Sequence, residues 1–133
     1  MKPFHLEIVT PDGSVFDGMA ESLLVRTTNG DVEILAGHAD YLATVATGRT
    51  RIIVDGESRY ASSQGGFLSV SGENVRLVTT TFEFADKIDL ARAEAAKEKA
   101  ESQLSGAKDA REIELAKARL SRALNRIKVS GMK

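Results

Sequence analysis

Glycine and proline are unevenly distributed along the 133 residues, and this division limits the chain to two parts of different secondary structure. Nine of the eleven glycines and both prolines lie before residue 73. The segment from residue 85 onwards is rich in Ala, Lys, Glu and Arg, which are strong helix formers. We therefore predict a strand-rich domain over residues 1–84 and a helical domain over residues 85–133.

The formal net charge of −1 conceals the same division. Residues 1–84 contain 6 Lys and Arg against 11 Asp and Glu, whereas residues 85–133 contain 12 against 8. After Glu114 the chain has no acidic residue at all. The strand-rich domain is therefore acidic and the helical domain basic, which predicts an anionic partner for the second domain.

Several classes of protein are disfavoured by what the chain lacks. The absence of cysteine excludes disulfides and cysteine nucleophiles, and His5 and His38 stand too isolated to suggest a metal site. There is no Walker-type glycine loop, no Gly-x-Ser-x-Gly elbow and no carboxylate pair in a catalytic arrangement. We therefore predict no metal centre and no catalytic residues, so the chain is not expected to be an enzyme by itself.

The chain also lacks the segments that direct a protein into or across a membrane. No apolar run approaches the ~20 residues needed to cross a bilayer. The first residues, Met1-Lys2-Pro3-Phe4-His5, lack the hydrophobic stretch of a signal peptide. We expect the chain to stay in the compartment where it is made.

Short runs rich in β-branched and aromatic residues fill the first domain and predict a sandwich or barrel. The clearest runs are residues 4–9, 23–27, 51–54, 67–70 and 75–79. The turn signals between them are Pro11-Asp12-Gly13, Asn29-Gly30-Asp31, Asp55-Gly56 and Ser71-Gly72-Glu73-Asn74. Asp-Gly favours a two-residue turn with positive φ, so we predict a β-hairpin at residues 55 and 56.

Capping signals divide the second domain into two helices. Asp89 is a candidate N-cap for a helix over residues 90–105, which Gly106 would end. Asp109 followed by Glu112 is typical of a capping box, and the second helix would run to about residue 129. The short connection predicts an antiparallel helical hairpin.

The apolar side chains available to join these helices are mostly small. The first helix offers Leu90, Ala93, Ala96, Ala100 and Leu104, and the second offers Ile113, Leu120, Leu124 and Ile127. Alanine contributes little buried area, at about 0.8 kcal/mol for each buried methylene-sized group. We therefore predict a marginal hairpin that can separate, or leave the first domain, without unfolding it.

The second helix carries cations on one face. Positions 119, 122 and 126 are turned by roughly 130° from the apolar stripe at 100° per residue. The cations after Glu114 are Lys117, Arg119, Arg122, Arg126, Lys128 and Lys133. One interpretation is a solvated helix end favoured by the macrodipole. The other interpretation is an anionic partner, which could be an acidic protein surface, a polyphosphate such as ATP, an anionic membrane or nucleic acid. Nucleic acid is the weakest of these because this tail has no aromatic residue for stacking.

Three segments and the order of the domains resemble a known family. The segments are Val9-Thr10-Pro11-Asp12-Gly13, the stretch from Asn29 to His38 ending in Leu35-Ala36-Gly37-His38, and Gly65-Gly66-Phe67-Leu68-Ser69-Val70. With the helical tail they are similar to the epsilon subunit of bacterial F-type ATP synthase over essentially the whole chain. The family commonly has proline where this chain has Ala36 and Asp40.

The resemblance implies a β-sandwich of about ten strands, followed by an antiparallel helical hairpin, in a non-catalytic subunit at the foot of the rotating central stalk. The sandwich would bind the gamma subunit and the c-ring, the latter through Asp31, Glu33 and His38. The hairpin would fold down on the sandwich or extend into the catalytic head of alpha and beta subunits, where it inhibits ATP hydrolysis and Arg119, Arg122 and Arg126 would meet the beta subunit. The chain would be a peripheral protein on the cytoplasmic face of the bacterial cell membrane.

A second motif links the chain to Bacillus-like members of the family. Ile88-Asp89-Leu90-Ala91-Arg92-Ala93 matches the Ile/Leu-Asp-x-x-Arg-Ala motif that binds ATP in the folded-down state. The resemblance assigns Ile88, Asp89, Arg92 and Ala93 to this ATP site, together with Glu83, Lys99, Arg122 and Arg126. ATP, alone or with Mg²⁺, would be a regulatory ligand and not an obligatory cofactor. Lys99 replaces a family arginine and loses its bidentate fork.

Two readings of function remain open from the sequence. The first is the rotor subunit just described, and the alternative is a free-standing ATP-sensing module whose hairpin closes on nucleotide. An exposed apolar strip on the sandwich would favour the first, because a permanent subunit needs a docking face. Two of the assigned site residues also have purely structural interpretations. Asp89 would serve only as a helix N-cap, and His38 would be only an exposed loop residue.

Overall fold

The computed structural model describes residues 2–132, so Met1 and the cationic Lys133 lie outside the described residues. Within that range nine strands precede a short 3₁₀ turn at Ala85–Lys87 and two helices. The strands are β1 (Phe4–Thr10), β2 (Gly13–Ala20), β3 (Ser22–Thr27), β4 (Gly30–Ile34), β5 (Tyr41–Val54), β6 (Glu57–Gln64), β7 (Phe67–Ser71), β8 (Asn74–Val78) and β9 (Thr81–Phe84). The helices are α1 (Leu90–Ser105) and α2 (Ala110–Ser130).

The strands form two sheets that share the long strand β5. One sheet has the order β2-β1-β8-β7-β5 and the other the order β4-β3-β5-β6-β9. Residues 41–44 of β5 pair with β7, whereas residues 48–54 pair with β6. The nine strands over residues 2–132 agree with the expected number of about ten, and β5 continues unbroken for 14 residues through both sheets.

The core lies between the two sheets and confirms the predicted β-sandwich. Along β1, Phe4, Leu6 and Ile8 are buried while the residues between them point to the opposite face. The facing core side chains include Leu23, Val25, Ile34 and Ile52 from the second sheet and Leu68, Val70, Val75 and Leu77 from the first. Among the described residues, neither helix contributes to this core cluster, so the sandwich buries its own apolar face without them.

The predicted hairpin at Asp55-Gly56 is confirmed. Val54 pairs with Glu57 across a two-residue turn, and both turn residues have positive φ, 52° for Asp55 and 79° for Gly56. This backbone geometry matches the twist of the flanking strands, which is why Asp-Gly is favoured there.

Both helices begin at the predicted caps. Asp89 Oδ1 accepts a hydrogen bond from Arg92 N at 3.1 Å, and Asp109 Oδ1 accepts one from Glu112 N at 2.8 Å. The Glu112 carboxylate does not return to the cap itself but accepts from Lys108 N, one residue earlier, at 2.7 Å. Each cap satisfies backbone N–H groups that would otherwise lack a partner.

The seam between the helices is built from alanine. Ala93 and Ala100 of α1 and Ala116 and Ala123 of α2 are buried. The predicted leucine contribution is partly wrong, because Leu90 and Leu124 are 44% and 46% exposed. Ala96 is also exposed. The face of α2 containing Ala116 and Ala123, seven residues apart, is buried in the seam, and this rotation carries Leu124 to its edge.

The hairpin rests on the sandwich through the C-terminal half of α2, which contacts β5 and β6. Asn125 Nδ2 donates to Gly48 O at 3.0 Å and to Ser62 Oγ at 2.9 Å. One turn later Val129 is completely buried. These contacts place one side of α2 directly over the outer face of the second sheet.

Candidate functional site

A groove of about 490 Å³ lies between the two helices and the strands β6 and β9. Polar and charged side chains from all four elements line it: Gln64, Thr81, Glu83, Lys99, Gln103, Arg119, Arg122 and Arg126. Ala96, Ala100 and Ala123 supply its apolar wall. The small size of these alanines leaves open the space that larger side chains would fill.

Four cations and one carboxylate give the groove an excess of positive charge. Glu83 and Arg126 form an ion pair, with Nε 2.8 Å from Oε1 and Nη2 donating to Oε2 at 3.1 Å. Both side chains are mostly shielded from solvent, at 34% and 22% exposure. The pair joins β9 to α2, and it leaves the charges of Lys99, Arg119 and Arg122 uncompensated within the groove.

Helical spacing explains why the cations converge. Arg119, Arg122 and Arg126 are three and four residues apart, so they share one face of α2. Lys99 and Gln103 are four residues apart on α1 and face the same space. Antiparallel packing of the helices sets these two faces on opposite walls of the groove. The arrangement can bind a polyanion by charge-assisted hydrogen bonds.

Gln103 of α1 contacts Arg119 of α2. Its Oε1 accepts a hydrogen bond from Arg119 Nη1 at 3.2 Å, and both residues line the groove. A guanidinium has five N–H donors in a planar fork, so this contact leaves others available for a ligand. Sequence reasoning missed Gln103, since a single glutamine on a helix carries no signal of its partner.

An apolar strip lies on the outer face of the first sheet. Leu42 of β5 is 72% exposed and Phe67 of β7 is 44% exposed. In the register of these strands Leu42 pairs with Ser69 and Thr44 pairs with Phe67, so both apolar side chains point to the same face. We call Leu42 and Phe67 the outer strip.

A cluster of polar side chains around His5 lies on another part of the first sheet. His5 Nε2 lies 2.6 Å from Asp17 Oδ1, and His5 Nδ1 lies 3.3 Å from Asn74 Oδ1. The hydrogen bond to the Asp17 carboxylate raises the pKa of His5 above its usual value, more than desolvation lowers it. The cluster joins β1 to its two neighbours, β2 and β8.

Other kinds of site are not found in the part of the chain that the structure covers. Over residues 2–132 there is no group of three or more His, Asp or Glu side chains placed to hold a metal ion. In the same range no helix combines the length and the apolar character that crossing a membrane requires.

Comparison with known proteins assigns both parts of the chain. Residues 3–85 match the family model described as "ATP synthase, Delta/Epsilon chain, beta-sandwich domain", and residues 86–131 match the one described as "ATP synthase, Delta/Epsilon chain, long alpha-helix domain". The chain belongs to the ATP synthase delta/epsilon family. The resemblance seen in the sequence is therefore confirmed.

Relatives within the delta/epsilon family cover the chain from end to end. An ATP synthase epsilon chain of Ruminococcus albus is 41% identical over 134 residues, covering 100% of each chain. One of Bacillus velezensis is 40% identical over 131 residues, covering 98% of this chain and 99% of the relative. The predicted absence of a catalytic role agrees with membership of this family, whose epsilon chain is a stalk subunit.

Solved structures share the fold. A chain in the Euglena gracilis mitochondrial ATP synthase complex of OSCP, F1 and c-ring superposes with a TM-score of 0.82 at 21% identity, over 92% of this chain and 78% of that one. A chain in the Tetrahymena thermophila central stalk and c-ring superposes with a TM-score of 0.67 at 16% identity, over 95% of each chain.

The structure brings together half of the residues that the delta/epsilon resemblance assigned to ATP. Glu83, Lys99, Arg122 and Arg126 line the groove. The motif residues Ile88, Asp89, Arg92 and Ala93 lie beside it and do not line it. Asp89 is engaged as the N-cap of α1, and Ala93 is fully buried in the helix seam. Ile88 is half-buried after the 3₁₀ turn, and Arg92 is exposed on α1.

Two of the three residues assigned to the c-ring, Asp31 and Glu33, lie two residues apart on the same face of β4. Asp31 forms ion pairs with Arg26 at 3.1 Å and Arg49 at 3.6 Å, beside Asn125 and Lys128 of α2. Glu33 pairs with Arg51 and also accepts from Ser22 Oγ at 3.0 Å.

His38 lies in the loop after β4, where its ring meets Tyr41 edge-on at 5.7 Å. Its Nδ1 lies 2.7 Å from Ala39 O. In this loop Asp40, which stands in place of a family proline, accepts from Gly72 N at 3.1 Å. The loop is thereby tied to the β7–β8 turn.

Proposed function

We propose that this chain is the epsilon subunit of a bacterial ATP synthase and a non-catalytic part of its central stalk. The observation that carries the proposal is the match of both domains of the family, in order, along the whole chain. The relatives named epsilon chain cover the same length at about two-fifths identity. The similar folds in two ATP synthase complexes, one described as OSCP, F1 and c-ring and the other as central stalk and c-ring, support this placement.

The sandwich would dock on the rotor through two surfaces. The outer strip of Leu42 and Phe67 fits an apolar face of the gamma subunit, because large apolar side chains on a stable subunit mark an interface. The loop carrying His38 would meet the c-ring, and Asp31 and Glu33, which are ion-paired and partly exposed on β4, would join that contact. The chain would then lie at the cytoplasmic face of the membrane, held by the complex.

Co-elution with purified gamma subunit tests this docking. We expect a complex at micromolar concentration for the natural chain, and loss of that complex for Leu42→Asp, which charges the outer strip. Leu115→Asp is the matched control, since Leu115 is a 46% exposed leucine on α2 outside the sandwich. No complex with the natural chain would refute the rotor assignment and leave the free-standing ATP sensor.

The groove would bind ATP and thereby hold the hairpin on the sandwich. Its four cations all lie on α1 and α2, so they converge when the hairpin is closed, and Gln64, Thr81 and Glu83 of the sandwich complete the wall only when the hairpin is docked. A ligand that binds only this form stabilises it by about 2.7 kcal/mol when its concentration is 100-fold above the Kd. ATP would therefore shift the population of hairpins toward the docked state.

Thermal melting in millimolar ATP tests the groove. We expect ATP to raise the melting temperature of the natural chain, and we expect Arg122→Ala to remove that rise. Arg122 is preferable to Arg126 because Arg126→Ala would also strip Glu83 of its ion-pair partner. Lys117→Ala removes one exposed cation of α2 that does not line the groove and should leave the rise unchanged. An unchanged melting curve of the natural chain would refute ATP binding.

The undocked hairpin would inhibit hydrolysis by reaching the alpha and beta subunits of the catalytic head. Arg122 and Arg126 are half-buried against the groove, so an acidic surface of the beta subunit could meet them only after undocking. Arg119 is already exposed. Deleting residues 87–133 should leave a folded sandwich, whose core contains no helix residue, that binds gamma and no longer suppresses hydrolysis. Full inhibition by the truncated chain would contradict this role of the tail.

A further inference from the structure

The charged side chains of the groove are distributed unevenly along the axis of α2. Glu83 is the carboxylate that lines it, and it is paired with Arg126 at one end of the cationic face of α2. Arg119 lies seven residues earlier, which places it about 10 Å away along the helix axis at 1.5 Å per residue. Between them stand Arg122 on α2 and Lys99 on the facing wall of α1.

This arrangement of charges would orient a nucleotide bound in the groove. The Glu83–Arg126 ion pair leaves little net charge at its end of the groove, so phosphates are attracted more strongly to Arg122, Lys99 and Arg119. A nucleobase can donate an N–H to a carboxylate oxygen, so the base belongs at the Glu83 end. The phosphate chain then extends along Arg122 and Lys99 towards Arg119. A triphosphate reaches further along this row of cations than a diphosphate does.

We propose that Arg119, positioned by Gln103, contacts the terminal phosphate of a nucleoside triphosphate and makes the groove prefer a triphosphate to a diphosphate. The proposal rests on the proposed function of the groove as an ATP site. Gln103 Oε1 engages one guanidinium nitrogen of Arg119 at 3.2 Å, which restrains the side chain over the groove and leaves further N–H donors for phosphate oxygens. Gln103 acts as a positioning residue through Arg119.

The lysine at position 99 makes a contact from Arg119 more important for phosphate binding. Lysine binds phosphate as a point charge, whereas arginine makes two parallel hydrogen bonds to it. With lysine on the α1 wall, Arg119 and Arg122 are the bidentate donors in the groove that Glu83 does not already occupy. Arg122 is half-buried in the middle of the row and would serve both diphosphate and triphosphate ligands.

Calorimetric titration of the full chain with ATP and with ADP, under the same salt conditions, tests the proposal. The variants are Arg119→Ala, Arg119→Lys and Gln103→Ala, with Lys117→Ala as the control for loss of one exposed positive charge from α2. A hydrogen bond to a charged group corresponds to a loss of about tenfold or more when it is removed. We expect Arg119→Ala to weaken ATP binding by about that factor and ADP binding by much less.

The conservative and positioning variants sharpen the test. Arg119→Lys should recover part of the ATP affinity, because it restores the charge without the fork. Gln103→Ala should weaken ATP binding less than Arg119→Ala does, and should have no effect in the Arg119→Ala background. Circular dichroism should show unchanged helix content, since both side chains are at the surface of the hairpin.

Two results would overturn the assignment of Arg119. One is an Arg119→Ala chain that binds ATP as the natural chain does. The other is an equal loss of ATP and ADP affinity, matched by Lys117→Ala, which would show general attraction between charges. A natural chain that binds neither nucleotide would instead refute the ATP site itself, so failure of the proposed function is distinguishable from failure of this proposal.

Discussion

Replacing Asn125 by alanine should release the hairpin from the sandwich without unfolding the sandwich. The Asn125 amide donates two hydrogen bonds, to Gly48 O and to Ser62 Oγ, and both partners lie in the second sheet. Gly48 and Ser62 are buried, so water does not easily replace the lost donor while the helix stays in place. The substitution therefore acts on the docking equilibrium of α2.

The magnitude follows from these two contacts. A typical intramolecular hydrogen bond contributes about 0.5–1.5 kcal/mol net, so the pair contributes about 1–3 kcal/mol to docking. A middle value of about 2 kcal/mol corresponds to roughly a 30-fold larger undocked population. The sandwich core has no helix residue among its members, so its own stability should hardly change.

Hydrogen exchange followed by mass spectrometry measures this directly. In Asn125→Ala, amides in the C-terminal half of α2 should exchange up to about 30-fold faster, while those of β1 and β8 should keep their natural rates. Ser121→Ala is the matched control, because Ser121 is exposed on the same helix. Equal acceleration in helix and core would refute independent docking, and no acceleration anywhere would show that Asn125 does not hold the helix.

Four further substitutions test other parts of the structure. Gly66→Ala should destabilise the sandwich by at least about 3 kcal/mol in denaturant unfolding, because φ is +88° and a Cβ would clash with the backbone carbonyl oxygen of Val78. Gly56→Ala, with φ +79° and open space, should cost only about 1–2 kcal/mol, and equal losses would contradict the steric argument. Val129→Ala removes two fully buried methyl groups and should weaken hairpin docking by about 2 kcal/mol, seen as faster exchange in α2; natural exchange rates there would show that Val129 does not support docking. The raised pKa of His5 means that its stabilisation is complete below the unfolded pKa and is lost as pH rises through the folded pKa. The melting-temperature difference between the natural chain and His5→Gln should therefore shrink between about pH 5 and pH 8, and a difference independent of pH would contradict the cluster.

Local signals predicted much of the secondary structure because each depends on neighbours in the chain. Asp89 and Asp109 mark helix starts through bonds to residues three positions later, and Asp55-Gly56 marks a turn through its own φ values. The apolar stripe was predicted less well. Periodicity identifies the apolar side chains of a helix but not its rotation against a partner, so Leu124 was expected in the seam and lies at its edge.

Family resemblance named four of the groove's residues, yet it could not show which of its eight assignments share one surface. Asp89 and Ala93 satisfy the helix cap and the seam, so their place in the motif is compatible with purely structural roles. The groove also needs Gln103 and Arg119 in contact across two helices. No pattern within a single helix reports such a contact.

The sequence by itself determined that an acidic strand domain precedes a basic helical hairpin, where the helices start, and that the cations lie on one face of α2. Only the tertiary structure decided where that face points. The Glu83–Arg126 pair joins residues 43 positions apart, and the bond from Asn125 to Gly48 spans 77. Such contacts depend on how β9 and β5 pack against α2. Because of that packing, the row of cations on α2 lines a groove.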